Sequence, residues 1–274
     1  MAQVEASDGI ALYAETHGGG TPVLFCCALN TTCENWRPQV EPFVAAGRRV
    51  VLWDYRGHGR SGVPDDAAAY SMSQVVDDLG RVLDWAAPDE PAVLVGLSFG
   101  GLASLHFALA QPPRVRALVL AGSGPGFKNP EARERWQTSC DRTASFLEAK
   151  GVEVFAQRAA DMTVGLHPER PAARAATRAI SAQAVRGLAL FGRQVAGPAL
   201  PVIDELAGIR VPALVIRGER DEAYARACAV MVAKLPDARS ATLSGAGHIL
   251  NLDEPAAFDA ALLGFLDGLT AGSA

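Results

Sequence analysis

A serine, a histidine and a carboxylate in this chain stand in settings where they can do nucleophilic chemistry together. Ser98 lies in Gly96-Leu97-Ser98-Phe99-Gly100-Gly101, after the apolar run 92–95 (AVLV) and before the helical stretch 102–110. A serine placed this way, between a strand and a helix in a G-x-S-x-G string, sits on a strained turn that lifts its hydroxyl above the sheet. Glycines at 96 and 100 remove side chains that would crowd the turn. The following helix aims the positive end of its dipole at the same point. A serine hydroxyl is a weak nucleophile and needs a base.

The chain has five histidines, so the base can be sought by elimination. His17 opens the Gly-rich turn ahead of the first core strand. His58 lies in Gly57-His58-Gly59, His106 sits two turns along the helix after Ser98, and His167 falls in a helical segment. His248, in Gly245-Ala246-Gly247-His248, sits in a loop between the last strand and the last helix. Loops at the carboxyl ends of strands are where α/β sheets place reactive groups. His248 is therefore the candidate base. A carboxylate must fix its tautomer and stabilise the imidazolium. Asp221, at the end of Arg217-Gly218-Glu219-Arg220-Asp221, is the first choice, and N-capping of the next helix is its competing role. Glu219 is the reserve, while Asp253 and Glu254 read as caps of the last helix. Such a set supports acyl transfer: Ser98 attacks a carbonyl, and His248 takes the proton and later returns it. This chemistry calls for no cofactor and no metal.

Alternating elements must position these groups. Residues 4–6 and 11–15 read as two strands joined at Asp8-Gly9. Further apolar runs at 23–27, 49–54, 92–97, 117–121, 213–217 and 240–243 suit strands, most of them buried on both faces. Val75, Leu79, Val82 and Leu83 give one helical face, and Phe258, Leu262, Phe265 and Leu266 another. Strand–helix alternation defines the α/β class, a mostly parallel sheet with helices on both sides. From 127 to 200 the rhythm breaks into helical character alone. The division expected is a core domain of residues 1–126 and 201–274, with 127–200 inserted as a helical lid. The insertion holds nine Arg and two Lys against seven acidic residues, a charge of +4 that leaves −9 on the remainder. A solvated surface explains this, and a sharper reading lets some of these arginines favour an anionic substrate.

Composition narrows the function classes. The 274 residues are 49% hydrophobic and 20% charged, as in a folded globular protein. A net charge of −5 argues against nucleic acid as partner. No apolar run is long enough to span a bilayer, and residues 1–10 lack a secretory pattern. Five cysteines, an odd number without a CxxC pair, read as free thiols of a cytoplasmic protein and not as a zinc site. A monomer and a homodimer both remain open.

The order Ser98, Asp221, His248 resembles that of the α/β-hydrolase superfamily. Asp54-Tyr55-Arg56-Gly57-His58-Gly59-Arg60-Ser61 resembles its D-x-R-G-x-G-x-S loop, and residues 245–255 (GAGHILNLDEP) resemble its catalytic-histidine loop. Within it the chain is similar to the small microbial esterase and lactonase branch, with enol-lactonases as one relative. The resemblance implies an oxyanion hole made by the backbone N–H groups of Leu29 and Phe99. Cys27-Ala28 stand where most relatives carry His-Gly, and Ala28 in a glycine's place requires the loop to avoid positive φ there. Cys27 either borders the site or is a small buried thiol; Asn30 either bonds the substrate or holds the loop. Phe127, Trp136, Phe146, Phe155, Met162 and Phe191 are candidate pocket or lid-core residues, and Ile249, next to the base, is a pocket candidate. The expected activity is hydrolysis of a carboxylic ester or lactone. The rivals on the same fold are carbon–carbon, thioester or amide hydrolysis, a cofactor-free lyase or oxygenase, and a slow-turnover ligand receptor.

Overall fold

The structure is a computed structural model and describes residues 2–271. The chain opens with the hairpin β1 (Ala2–Glu5) and β2 (Ala11–His17), closed by a turn in which Gly9 has φ 81°. There follow β3 (Pro22–Cys26), α1 (Arg37–Ala45), β4 (Arg49–Trp53), α2 (Met72–Ala86), β5 (Ala92–Leu97), α3 (Phe99–Ala110) and β6 (Val115–Ala121). Five helices come next: α4 (Pro130–Lys150), α5 (Val152–Arg158), α6 (Ala160–Thr163), α7 (Pro171–Ser181) and α8 (Val185–Phe191). The last part holds β7 (Ala213–Gly218), α9 (Glu222–Lys234), β8 (Ala238–Leu243), α10 (Leu250–Asp253) and α11 (Pro255–Ala271).

The eight strands form one sheet in the order β1-β2-β4-β3-β5-β6-β7-β8. β1 and β2 are antiparallel to their neighbours, and the other pairings are parallel. β3 and β5, at the middle, are buried along their whole length, which is why their sequences are unbroken apolar runs. The predicted helical faces are the buried ones: Val75, Leu79, Val82 and Leu83 on α2, and Phe258, Leu262, Phe265 and Leu266 on α11.

Two strands extend beyond the apolar runs that announce them. β6 begins at Val115, and its pairing with β5 shifts register between Ala92 and Val93. β8 begins at Ala238 and includes exposed Arg239 and Ser240. It is an edge strand, and edges accept polar residues that mask the strand signal.

Between β6 and β7, α4 to α8 stand in place of a single crossover helix. One turn of π-helix at Gly192–Ala196 extends α8. Several hydrogen bonds tie this insertion to the rest, among them those of Asn35, Gln183 and Asp253. The Asn35 amide donates to Thr163 O at 2.7 Å. Gln183 donates to Asn30 O at 2.9 Å and accepts from Gly59 N–H at 3.0 Å. The Asp253 carboxylate accepts from Leu166 N–H at 2.6 Å.

The Asp54–Ser61 loop is a structural clamp. Buried Asp54 accepts the N–H groups of Cys33 (2.8 Å) and Arg60 (3.0 Å). Arg56, with no exposed surface, forks onto both Asp78 oxygens at 2.7 Å. Charge-assisted bidentate pairs of this kind fix geometry strongly.

Candidate active site

Ser98 joins β5 to α3 with φ 55° and ψ −117°, a conformation L-residues rarely adopt. Its N–H donates to Ala121 O at 2.8 Å, and its carbonyl accepts the Ser123 hydroxyl at 2.7 Å. Such strain costs about 1–3 kcal/mol and persists only where the surroundings enforce it. The glycines make the turn possible. A Cβ on Gly96 would lie 2.4 Å from Gly100, and one on Gly100 would lie 2.3 Å from Cys26 O.

His248 Nδ1 and Asp221 Oδ2 are 2.9 Å apart, and both side chains are buried. Asp221 occupies the N-cap position of α9 but makes no side-chain cap bond. Its carboxylate turns to the histidine, so the capping alternative is not what the structure shows. Glu219 accepts the Ser244 hydroxyl at 2.9 Å and Gly245 N–H at 3.0 Å, and it braces the turn ahead of the histidine loop. Asp253 departs from its expected cap role. It ends α10, and its two oxygens accept Leu166 N–H (2.6 Å) and Gly247 N–H (2.8 Å), joining the insertion to the histidine loop.

The remaining histidines lie elsewhere. His17 pairs with Glu15 at 3.3 Å and His167 with Glu169 at 3.4 Å. His106 Nε2 lies 3.1 Å from Leu200 O. His58 is wedged against Tyr55 and Phe191, and burial pulls its pKa down to about 4.

Tyr224 on α9 is a site residue that the sequence reading missed. Its hydroxyl lies 3.3 Å from Ser98 Oγ, and its ring stacks on the His248 imidazole with centroids 4.8 Å apart and planes at 24°. Its spacing of three from Asp221 was the available signal, since one helical turn places both on the same face.

The loop after β3 avoids positive φ at Ala28 and places it at Asn30, φ 65°. Asparagine is among the non-glycine residues that best tolerate this region. Thr31 secures the loop with N–H and hydroxyl bonds to Ala28 O at 3.2 and 2.9 Å. Phe99 is the first residue of α3, where N–H groups have no intrahelical acceptor.

Leu29, Asn30 and Trp136 line a small cavity of about 60 Å³, with Cys140, Leu188 and Gly192 among the other wall residues. Asn30 Oδ1 is buried without a hydrogen-bond partner. Trp136 Nε1 donates to Ala196 O at 2.8 Å. The wall residues of α4 repeat at helical spacing from Trp136 through Cys140 and Thr143 to Leu147, a pattern legible in the sequence.

Other pocket candidates are placed differently. The Cys27 thiol lies 3.7 Å from Trp53 O as a donor, and burial pushes its pKa well up, so it is a packed thiol. Phe127 is exposed at the surface, 6.0 Å from Trp136 between ring centroids. Phe146 lies under Arg158, 5.5 Å from its ring, outside the cavity wall. Phe155 is buried in the insertion, and Met162 is exposed. Phe191 is fully buried and meets Phe99 at 5.2 Å, supporting the turn from beneath the insertion. Ile249 is fully buried at the start of α10.

No charged residue lines the cavity. Among the insertion's arginines, Arg186 pairs with Asp65 (3.0 Å) and Arg193 with Glu148 (2.8 Å). Arg170 donates to the carbonyls of Leu252 and Asp253. One acidic cluster, Glu15, Cys33 and Glu34, has metal-ligand spacing, but Arg37 already bonds both carboxylates. Among the described residues, no helix is long and apolar enough to cross a membrane.

Fold and site together define an α/β protein with a strained serine turn and a buried His248–Asp221 pair. The chain belongs to the alpha/beta hydrolase fold family, which it matches over residues 21–255, and it is a hydrolase. It is 31% identical to "Putative carbamate hydrolase RutD" of Azorhizobium caulinodans, across 93% of this chain and 94% of that one. The enol-lactonase from Burkholderia xenovorans LB400 is 25% identical and superposes with a TM-score of 0.82, covering 95% of this chain and 98% of that one. A hydrolase from Pseudomonas aeruginosa PA01 is 29% identical, with a TM-score of 0.82 over 96% of each chain.

Proposed function

We propose that this chain is a serine hydrolase that cleaves a small, uncharged carboxylic ester or lactone through an acyl-Ser98 intermediate. The observation that carries this reading is the buried His248–Asp221 pair, 2.9 Å apart, with Tyr224 reaching from the imidazole to a serine held at positive φ. Asp221 keeps the Nδ1 proton on His248, leaving Nε2 free to take the Ser98 proton. Ser98 Oγ attacks the carbonyl carbon, and the carbonyl oxygen turns toward the N–H groups of Leu29 and Phe99. Each such donor contributes about 10²–10³ in rate. The imidazolium protonates the departing alkoxide, and water then releases the acid by the reverse path.

Residues 127–200 act as a cap over the core formed by 1–126 and 201–274. The bonds from Gln183 and Thr163 to the loop after β3 support this. Leu29, the expected oxyanion donor, is in the wall of the cavity of about 60 Å³, and that small size favours a short acyl group. Its uncharged wall favours a neutral substrate over an anionic one. A carbamate is the second reading, favoured by the unpartnered Asn30 carboxamide, which can bond a carbamoyl N–H, and by the name of the relative from Azorhizobium caulinodans.

The test is hydrolysis of p-nitrophenyl esters from acetate to decanoate, with phenyl carbamate alongside, by the parent and Ser98→Ala. Fastest turnover at acetate or propionate is expected, with loss of at least about 10³-fold in the variant. Turnover that survives Ser98→Ala would remove the acyl-enzyme reading. A carbamate rate above the acetate rate would favour the second substrate class.

A further inference from the structure

We propose that Tyr224 is a fourth catalytic residue, donating its hydroxyl hydrogen bond to Ser98 Oγ while Ser98 gives its own proton to His248. The inference rests on the reading of Ser98 as nucleophile. Three observations carry it. The phenol oxygen lies 3.3 Å from Ser98 Oγ. The phenol ring stacks on the imidazole, 4.8 Å between centroids at 24°. Tyr224 N–H bonds Asp221 O at 3.3 Å, so one turn of α9 presents both the carboxylate and the phenol.

Proton placement fixes the direction of the bond. A carboxylate only accepts, so in neutral His248 it is Nδ1 that donates to Asp221 and Nε2 that carries the lone pair. Once Ser98 directs its only proton to Nε2, its oxygen can only accept from Tyr224. Burial raises the phenol pKa, so Tyr224 stays protonated and remains a donor. As the proton passes to His248, negative charge grows on Oγ and the bond becomes charge-assisted, about twice as strong as a neutral one. As the Oγ–carbon bond forms, that charge moves to the carbonyl oxygen and the phenol relaxes. In deacylation the Oγ–carbon bond breaks, Oγ regains its proton from the imidazolium, and the phenol supports it again. Tyr224 begins and ends each cycle protonated. Its stacked ring meanwhile restrains the imidazole plane.

In the resting structure the hydrogen-bond partner of Ser98 Oγ among the described residues is Tyr224, not His248. An O···O separation of 3.3 Å is longer than the usual 2.7–2.8 Å, so the bond has room to shorten as charge grows on Oγ. The opposite role, a latch that restrains the nucleophile, predicts faster reaction when the hydroxyl is removed.

Tyr224→Phe keeps the ring and removes the hydroxyl. It is to be compared with the parent and Ser98→Ala by steady-state ester hydrolysis and by the rate constant of fluorophosphonate labelling. That rate constant is independent of the fraction of folded protein, and thermal melting checks the fold. The expected result for Tyr224→Phe is kcat and labelling rate lowered about ten- to a hundred-fold, with KM within about twofold and an unchanged melting temperature. Rates equal to or above the parent's would overturn the proposal. Activity or labelling that persists in Ser98→Ala instead sinks the underlying nucleophile reading, so the two failures are distinguishable.

Discussion

At the scale of single residues, the competition between Asp221 and Glu219 shows what local chemistry decides. Both follow β7 within three positions, but only Asp221 is buried beside His248 Nδ1. Exposed Glu219 bonds the Ser244 hydroxyl and the Gly245 amide. Asp221→Asn preserves shape but permits the wrong imidazole tautomer, so kcat should fall about 10³–10⁴-fold with little change in melting temperature. Glu219→Gln should change kcat less than about tenfold. Steady-state assays on the two variants decide it, and equal losses would defeat the assignment. Ser98, His248 and Asp221 were legible because each sits in a motif with its own flanking elements. Tyr224 was not, because no motif marks it and its contact with the imidazole appears only when α9 brings it there. Asn30 was half legible: Ala28 excluded positive φ at its own position, and the structure moves that strain two residues on.

At the scale of elements, buried strands announced themselves while polar edges and corrections to loop roles did not. β5 was read to the residue because all six of its positions are buried. The start of β8 at Ala238 was missed because an edge strand exposes Arg239 there. Asp253 looked like a cap of α11, since a carboxylate near a helix start usually is one. Folding instead places it between two loops far apart in sequence, one at Leu166 and one at Gly247. Such a contact leaves no local pattern. Asp253 is therefore the device by which the helical insertion holds the histidine loop. In Asp253→Asn one of the two N–H donors faces an amide donor and loses its acceptor. Stability should fall by about 2 kcal/mol, the range for a hydrogen bond to a charged group. Amide exchange at Leu166 or Gly247 should quicken, and kcat should drop about tenfold as His248 loses its restraint. Urea titration and hydrogen exchange measure both; unchanged exchange at both amides would show that the clamp is unimportant.

At the scale of the whole molecule, the sheet core, the Ser98 turn and the insertion meet in one aromatic cluster with His58 inside it. Phe191 of the insertion touches His58 at 4.5 Å and Phe99 at 5.2 Å, and Tyr55 closes the group. Burial lowers the His58 pKa from 6.5 to about 4, because no water can solvate the imidazolium there. The unfolded chain therefore binds a proton at His58 between these values while the native chain does not. The stability due to neutral His58 is fully present above pH 6.5 and is lost as pH falls from 6.5 toward 4. Asp259 works in the opposite sense. Burial raises its pKa to about 6, so the native form holds its proton longer and stability falls as pH rises from about 4 to 6. A variant at position 58 isolates one contribution from the other. His58→Asn keeps a polar side chain without a titrating group in this range. Between pH 7 and 4.5 the parent should lose about 2 kcal/mol more stability than the variant, by linkage from the shift to about 4. Urea unfolding at the two pH values, followed by tryptophan fluorescence, measures the difference. Parallel pH dependence in the two proteins would mean that His58 is not the acid-sensitive point where core and insertion join. The loss in the parent alone would place acid sensitivity at the contact that also supports the Ser98 turn.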